Sequence, residues 1–328
     1  MSEPPVITRV TGHLGHITLN RPAAINALTA EMVELITRTL AGWSVEDRVR
    51  AVAIDGAGER GLCAGGEIRA IHADAVSGGT ASLGFWAEEY QLNATINEYP
   101  KPIIALMDGV VMGGGIGISG HASVRVVTER SRLAMPEVGI GFHPDVGGSW
   151  LLSHAPGEIG THLALTGSAI GAGDGIAAGL ADHFVPSARL PELLAALSES
   201  DPHSALLSTE TGPPPADLDR TWIDECYAGD DVAVILDRLT NHAHPAAQAA
   251  AKEIATKSPT SLVLTLRSLR AAAGLPNLRA ALDAELRLSA VMLRLPDLAE
   301  GIRAQIIDKD RRPRWQPASL KDVVPGPA

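Results

Sequence analysis

The chain has 328 residues, 45% of them hydrophobic, enough to bury a large core as one large domain with an extension or as two domains. Aromatics are only 3% and the formal charge is -11, so base-stacking platforms are scarce, phosphate backbones are repelled, and nucleic acid is excluded as a partner. Net charge does not exclude a small anionic ligand, because local cations set the potential of a pocket independently of the total.

Val6 to Arg9 and Gly15 to Leu19 predict a short strand pair around a turn at Thr11 and Gly12, ended by the breaker Asn20-Arg21-Pro22. A helix follows, with Thr29 as N-cap, Met32, Val33, Leu35, Ile36 and Leu40 as buried stripe, and Gly42 as stop. Val49 to Ile54 reads as a buried strand. The alternation then repeats: a short helix from Gly65, a helix over Trp86 to Asn97, a strand at Pro102 to Met107, a glycine turn, and a strand at Val124 to Thr128. This predicts an α/β layered core whose strand-end loops gather the functional groups. Ala155 to Leu165, Gly173 to Ala178 and Leu190 to Leu197 read as helices, and His183 to Val185 as a last strand.

Pro202 to Ala216, with Gly212-Pro213-Pro214-Pro215, reads as a linker. From Leu218 the pattern is helical almost throughout, with successive helices at Ala246 to Ala255, Ser261 to Ala273 and Leu278 to Leu293. The expected division is a core over 1–205 and a helical region over 206–328, with no repeat of solenoid length. Helical periodicity does not separate packing on the chain's own core from packing on a neighbouring subunit, so a homo-oligomer stays open. The two cysteines, Cys63 and Cys226, belong to no C-x-x-C pair, which argues against zinc ribbons and disulfide frameworks and fits a reducing cytosol. Met1 to Val10 shows no basic-then-apolar leader, and Gly109 to Gly120 is too short to span a bilayer; a cytoplasmic protein with no membrane partner is expected.

Gly113-Gly114-Gly115 lies between a strand and a short helix beginning near Ile116, so its N–H groups sit where negative charge is attracted. Ala64-Gly65-Gly66-Glu67 offers a second glycine turn, and a thioester oxygen that becomes an oxyanion needs two donors. For either cluster alone, a tight turn or close backbone packing is the structural alternative. Gly115 to Gly120 matches G-x-G-x-x-G in letters, but Val124 to Thr128 follows too soon for a crossover helix. No G-K-[ST] follows either, so dinucleotide and P-loop sites are excluded.

Glu137, after Pro136 and among apolar neighbours, is a candidate base whose pKa burial would raise; the alternative is a helix-start glutamate that complements the dipole. Asp145, between Pro144 and Gly147-Gly148, is a second acid or a turn and capping residue. His143 reads as a polar loop residue, Cys63 as a buried inert thiol, and Asp308 to Arg312 as a solvated charged segment.

These residues resemble the crotonase, or enoyl-CoA hydratase/isomerase, superfamily nearly end to end. The likeness covers Ile17-Thr18-Leu19-Asn20-Arg21-Pro22, Cys63 to Arg69, Glu88-Glu89-Tyr90, the Gly113 to Gly117 turn, Ala134-Met135-Pro136-Glu137 and Phe142 to Gly148. Ser258 to Leu262, Glu300 to Ala304, and Ile307 through Pro313 and Trp315 are similar to the thioester-hydrolase branch and not typical of hydratases. The resemblance implies a crotonase-like spiral of ββα turns with a helical C-terminal region. It implies an acyl-CoA substrate with adenine near the Ala64 and Ala27 loops, Arg21 as a phosphate contact, and no metal or cofactor beyond the substrate's own CoA. It also implies an oxyanion hole from the N–H groups of Gly66 and Gly114, and acyl-pocket roles for Glu89, Glu137 and Asp145.

Three departures matter. Hydratases of the superfamily carry a glutamate where this chain has Gly117, so water addition would lack one of its two carboxylates, while Asp145 supplies an acid elsewhere. Ala23 stands where many relatives have lysine, and Glu67 where aspartate is more usual. The implied reaction is hydrolysis of an acyl-CoA thioester, with 3-hydroxyisobutyryl-CoA of valine breakdown first among substrates. A hydratase or dienoyl-CoA isomerase on the same scaffold, and a non-catalytic CoA-binding subunit, are the alternatives.

Overall fold

Strands that are apolar on both faces belong in the middle of a parallel sheet, and Ala51 to Ile54 and Ile103 to Met107 are buried without a break. The computed structural model, which describes residues 3–324, places them there. Its strands are β1 (Val6–Thr11), β2 (Leu14–Leu19), β3 (Ala51–Gly56), β4 (Ile103–Met107), β5 (Val110–Met112), β6 (Val124–Val127), β7 (Arg132–Ala134) and β8 (His183–Phe184). The main sheet has the order β1-β2-β3-β4-β6-β8. β1 and β2 form an antiparallel hairpin with Val6 opposite Leu19, and every later neighbour is parallel, with Leu14 opposite Ala51 and Ile54 opposite Ala105. β5 and β7 form a separate parallel pair.

The described residues divide into two compact units. One runs to Glu67 and includes Ala87–Ala134 and Ile170–Asp217; the other joins Ile68–Trp86 and Met135–Ala169 to the segment from Leu218 onward. The first holds all the strands. Alternate residues Ala51, Ala53, Ile104, Leu106 and Val126 present one sheet face to Leu193 and Leu197 of helix Leu190–Glu199 and to Leu206. Helix Ala30–Ser44 starts at Thr29, whose side chain accepts the N–H of Met32, and buries Met32, Val33, Ile36 and Leu40. It continues past Gly42, where a Cβ would meet nothing and glycine costs only about 1 kcal/mol.

The second unit is helical. Asp219, Asp231, His244, Ser258 and Asn277 cap successive helices with their side chains. Trp222, Ile223, Tyr227, Ile235, Leu239 and Leu262 form its core with Leu165.

The expected linker is partly a helix. Asp201 accepts the N–H of Ser204 and Pro202 occupies the first turn of helix Pro202–Thr209. Residues 206–217, grouped by composition with the C-terminal helices, contact the first unit. β5 and β7 escape sequence reading because three residues among glycines are too few to show a period.

Candidate active site

In the first unit the two glycine turns meet. Leu28 pairs with Gly66 as a parallel bridge: Leu28 N donates to Gly65 O at 2.8 Å and Glu67 N to Leu28 O at 3.0 Å. That pattern uses the neighbours of Gly66 and turns its own N–H to the opposite side. Gly113, with φ 51°, precedes helix Gly114–Ser119, so the N–H of Gly114 belongs to the first turn, where no intrahelical acceptor exists. A Cβ placed on Gly65 would lie 3.7 Å from Gly114 N, so these positions face each other closely.

Glu89, on helix Ala81–Asn97, is 2% exposed, and its Oε1 lies 2.5 Å from where a Cβ on Gly114 would stand. Position 114 therefore has room only for glycine while that carboxylate keeps its place. Cys63 is buried; burial first, with the Glu89 charge adding, pushes its thiol up to about 12, so it stays protonated and inert.

Ala64 is exposed and Ala27 half-buried. Arg21 is engaged in holding the loop they form: its Nη1 donates to Ala27 O at 2.6 Å, and its Nη2 reaches Glu67 Oε2 at 3.3 Å. Ala64 N donates to Ile25 O at 3.0 Å. Asn26, absent from the sequence reading, ties the loop further through its side chain to Arg21 N, Ala57 O and Gly61 O.

In the second unit Glu137 opens the 3-10 helix Glu137–Ile140 after Pro136. Gly141 closes it at φ 77°, where a Cβ would stand 2.1 Å from Asp297 O, so only glycine permits this approach. Glu137 is 6% exposed, and its Oε2 is buried without a hydrogen-bond partner among the described residues. Burial first, then the charges of Asp145 and Glu285, hold its carboxyl well above the ordinary carboxylate range. Asp145 is as buried as Glu137.

Glu285, a residue the sequence reading did not single out, completes this group. It receives the N–H of Gly147 at 2.7 Å, the N–H of Ser149 at 2.9 Å and the Ser149 hydroxyl at 2.5 Å. Burial pushes its carboxyl up to about 8 against those donors. The signal was present in the sequence: in helix Leu278–Met292 it falls within the stripe Leu278, Ala281, Leu282, Ser289 and Met292, a charge where the period calls for an apolar residue.

His143 lies in a loop, as expected, but does not face solvent. It is fully buried, with Nδ1 bonded to Pro144 O at 3.1 Å and Nε2 to Ser289 Oγ at 3.0 Å. The carbonyl can only accept, so Nδ1 carries the proton and Nε2 accepts from the serine. Burial lowers its pKa to about 3, so the ring is neutral at neutral pH. Sequence reading missed this because the partner is 146 residues away.

The charged segment is exposed as expected at 308–312, yet organised. Arg303 pairs with Glu300 at 2.8 Å, Asp308 at 2.6 Å and Asp310 at 2.8 Å. Gly66, Gly114, Glu89, Ala64, Ala27 and Arg21 thus form one group inside the first unit, and Glu137 and Asp145 another inside the second. Among the described residues no cluster of His, Cys, Asp or Glu could hold a metal ion, and no helix is long and apolar enough to cross a membrane.

Residues 14–326 match the enoyl-CoA hydratase/isomerase family. The chain is 39% identical over 331 residues to the mitochondrial 3-hydroxyisobutyryl-CoA hydrolase of Gallus gallus, covering 97% of this chain and 86% of that protein. It is 40% identical to the enzyme of the same name from Rattus norvegicus, with the same coverage. A crystal structure titled a carnitinyl-CoA dehydratase, from Mycobacterium thermoresistibile, superposes with a TM-score of 0.95 at 49% identity, covering 98% of this chain and 94% of that one. One titled an enoyl-CoA hydratase, from Rhodobacter sphaeroides, gives 0.89 at 43% identity, with 98% and 95% covered. The chain belongs to the enoyl-CoA hydratase/isomerase family and is an enzyme of it.

Proposed function

We propose that the chain hydrolyses the thioester of a short branched 3-hydroxyacyl-CoA, with 3-hydroxyisobutyryl-CoA the preferred substrate. The observation that carries this reading is the placement of acids. Helix Gly114–Ser119 has Gly117 where a hydratase needs its second carboxylate, whereas Glu137 and Asp145 are buried within electrostatic reach of each other. The relatives named 3-hydroxyisobutyryl-CoA hydrolase support it over nearly the whole chain.

In this reading the N–H groups of Gly66 and Gly114 hold the thioester oxygen as it gains negative charge, each donor contributing about 3 kcal/mol. Glu137, its carboxyl held above the ordinary carboxylate range by burial and by the charge of Asp145, takes a proton from water as the water oxygen bonds to the carbonyl carbon. The carbon–sulfur bond then breaks and the proton passes to the CoA sulfur, giving free acid and thiol. Asp145 and Glu89 orient the hydroxyacyl end, the Ala64 and Ala27 loops take the adenine, and Arg21 contributes a phosphate contact beside its bonds within the loop. A direct attack by Glu137 would give an anhydride instead; single-turnover reaction in ¹⁸O water separates the two, since only that route labels the Glu137 side chain.

No cofactor beyond the CoA of the substrate is required, so chelators leave turnover unchanged. The location proposed is the cytoplasm, tested by cell fractionation; the vertebrate relatives are named mitochondrial. The test of the activity is Glu137→Gln, followed by thiol release across a panel of acyl-CoAs. Undiminished turnover removes Glu137 from the mechanism.

A second reading, hydration of an enoyl-CoA or dehydration of a 3-hydroxyacyl-CoA to one, is favoured by the titles of the two similar crystal structures. It predicts a change in enoyl absorbance without free thiol, and Gly117 argues against it.

A further inference from the structure

Helix Leu278–Met292 carries two polar side chains inside its apolar stripe, Glu285 and, one turn later, Ser289. Both bond the segment that contains Asp145. Ser289 holds His143 at one end, and Glu285 holds Gly147 and Ser149 at the other, so Asp145 lies between two anchors. The backbone between them is strained. Val146 sits at φ 52°, a left-handed conformation that a β-branched residue rarely adopts, and Gly147 follows at 79°.

Such a conformation persists only where its surroundings over-determine it. Here the turn aims two N–H groups and a hydroxyl at one carboxyl group that is 1% exposed, so each of these buried donors depends on Glu285 for its partner. Gly148 N closes the turn on Asp145 O at 2.6 Å, which ties the backbone of Asp145 to the clamped stretch.

We propose that Glu285 is a positioning residue for the reaction: from helix Leu278–Met292 it holds segment 143–149 so that the Asp145 carboxylate faces Glu137. Its activity readout rests on the hydrolase reading above, while its structural readout rests on geometry alone.

The experiment is Glu285→Gln in the full chain, assayed by thiol release and by amide hydrogen exchange. The amide NH₂ cannot accept, so at least one of the three donors loses its partner. The expected result is a fall in kcat of about a hundredfold, as for a misplacement near 1 Å, with KM within about threefold. Exchange rises at 143–149 while β3 and β4 stay protected.

In an Asp145→Asn background the same change costs little further, because both act on one element. Independent, additive losses in the double variant overturn the proposal, as does unchanged exchange in the segment. Where the Gln variant does not fold, Ser149→Ala removes a single donor and gives the same readouts at smaller amplitude; unchanged kcat and exchange there overturn it too. Absence of thiol release from the wild-type chain counts against the hydrolase reading instead, and hydrogen exchange still decides the role of Glu285.

Discussion

Gly114→Ala is the sharpest perturbation of the glycine turns. The added Cβ would stand 2.5 Å from Glu89 Oε1, 3.3 Å from Leu28 Cδ1 and 3.5 Å from the carbonyl carbon of Gly65. Ordinary contact begins at 3.4 Å, so the carboxylate must retreat by about 0.9 Å while Leu28 gives by a fraction of that. The nearest obstacle is the far end of a side chain, so the fold accommodates the methyl at about 1–3 kcal/mol. Catalysis is less forgiving. A displacement near 1 Å costs about a hundredfold, and loss of an oxyanion donor about a hundred- to a thousandfold in kcat.

The expected outcome is therefore a folded protein with kcat lowered by two orders of magnitude or more. Gly115→Ala provides the contrast: its Cβ would meet the backbone oxygen of Cys63 at 2.3 Å, which cannot swing aside, so this variant loses stability first. Thiol release and thermal melting on both variants separate the two effects. A Gly114→Ala protein that turns over within about threefold of wild type would refute the oxyanion role of that N–H.

If Glu137 is the base, kcat/KM falls as pH drops through its raised pKa; Asp145→Asn removes a negative neighbour and should move that acid limb to lower pH, and a limb that stays put breaks the proposed coupling. Glu285, at about 8 in the folded chain against an ordinary 4.5, contributes stability that is full below 4.5 and lost as pH rises through 8. Thermal melts should accordingly decline from pH 5 to 9, and Glu285→Gln should flatten that slope whatever it does to the absolute value. Gly141→Ala combines a left-handed backbone with a Cβ 2.1 Å from Asp297 O. It should cost more than about 3 kcal/mol, visible as a melting temperature lower by about 4 °C or more.

The alternation of apolar strands and amphipathic helices was legible because burial imposes a period, and the helix starts at Thr29 and Leu278 were legible because their caps are local. The glycine turns could be read as positions where backbone must approach backbone, and Glu137 and Asp145 stood out as acids among prolines and glycines. What the sequence hid depends on distance along the chain. His143 looks like a solvent-facing loop residue until Ser289 arrives 146 positions later, and Glu285 looks like one more helix glutamate until Ser149 meets it across 136. The helix at Pro202–Thr209 was hidden by the prolines that follow it, although Asp201-Pro202 is itself a helix-start signal.

Trp86, 2% exposed, stacks on Phe142 at 4.9 Å and 22°, and Phe142 in turn lies 4.7 Å from the ring of His143. Its indole is therefore a built-in optical probe of the backbone leading to Asp145. With Trp43, Trp150, Trp222 and Trp315 replaced by phenylalanine, the emission of this one fluorophore reports whether that stack loosens when acyl-CoA is added, without any label.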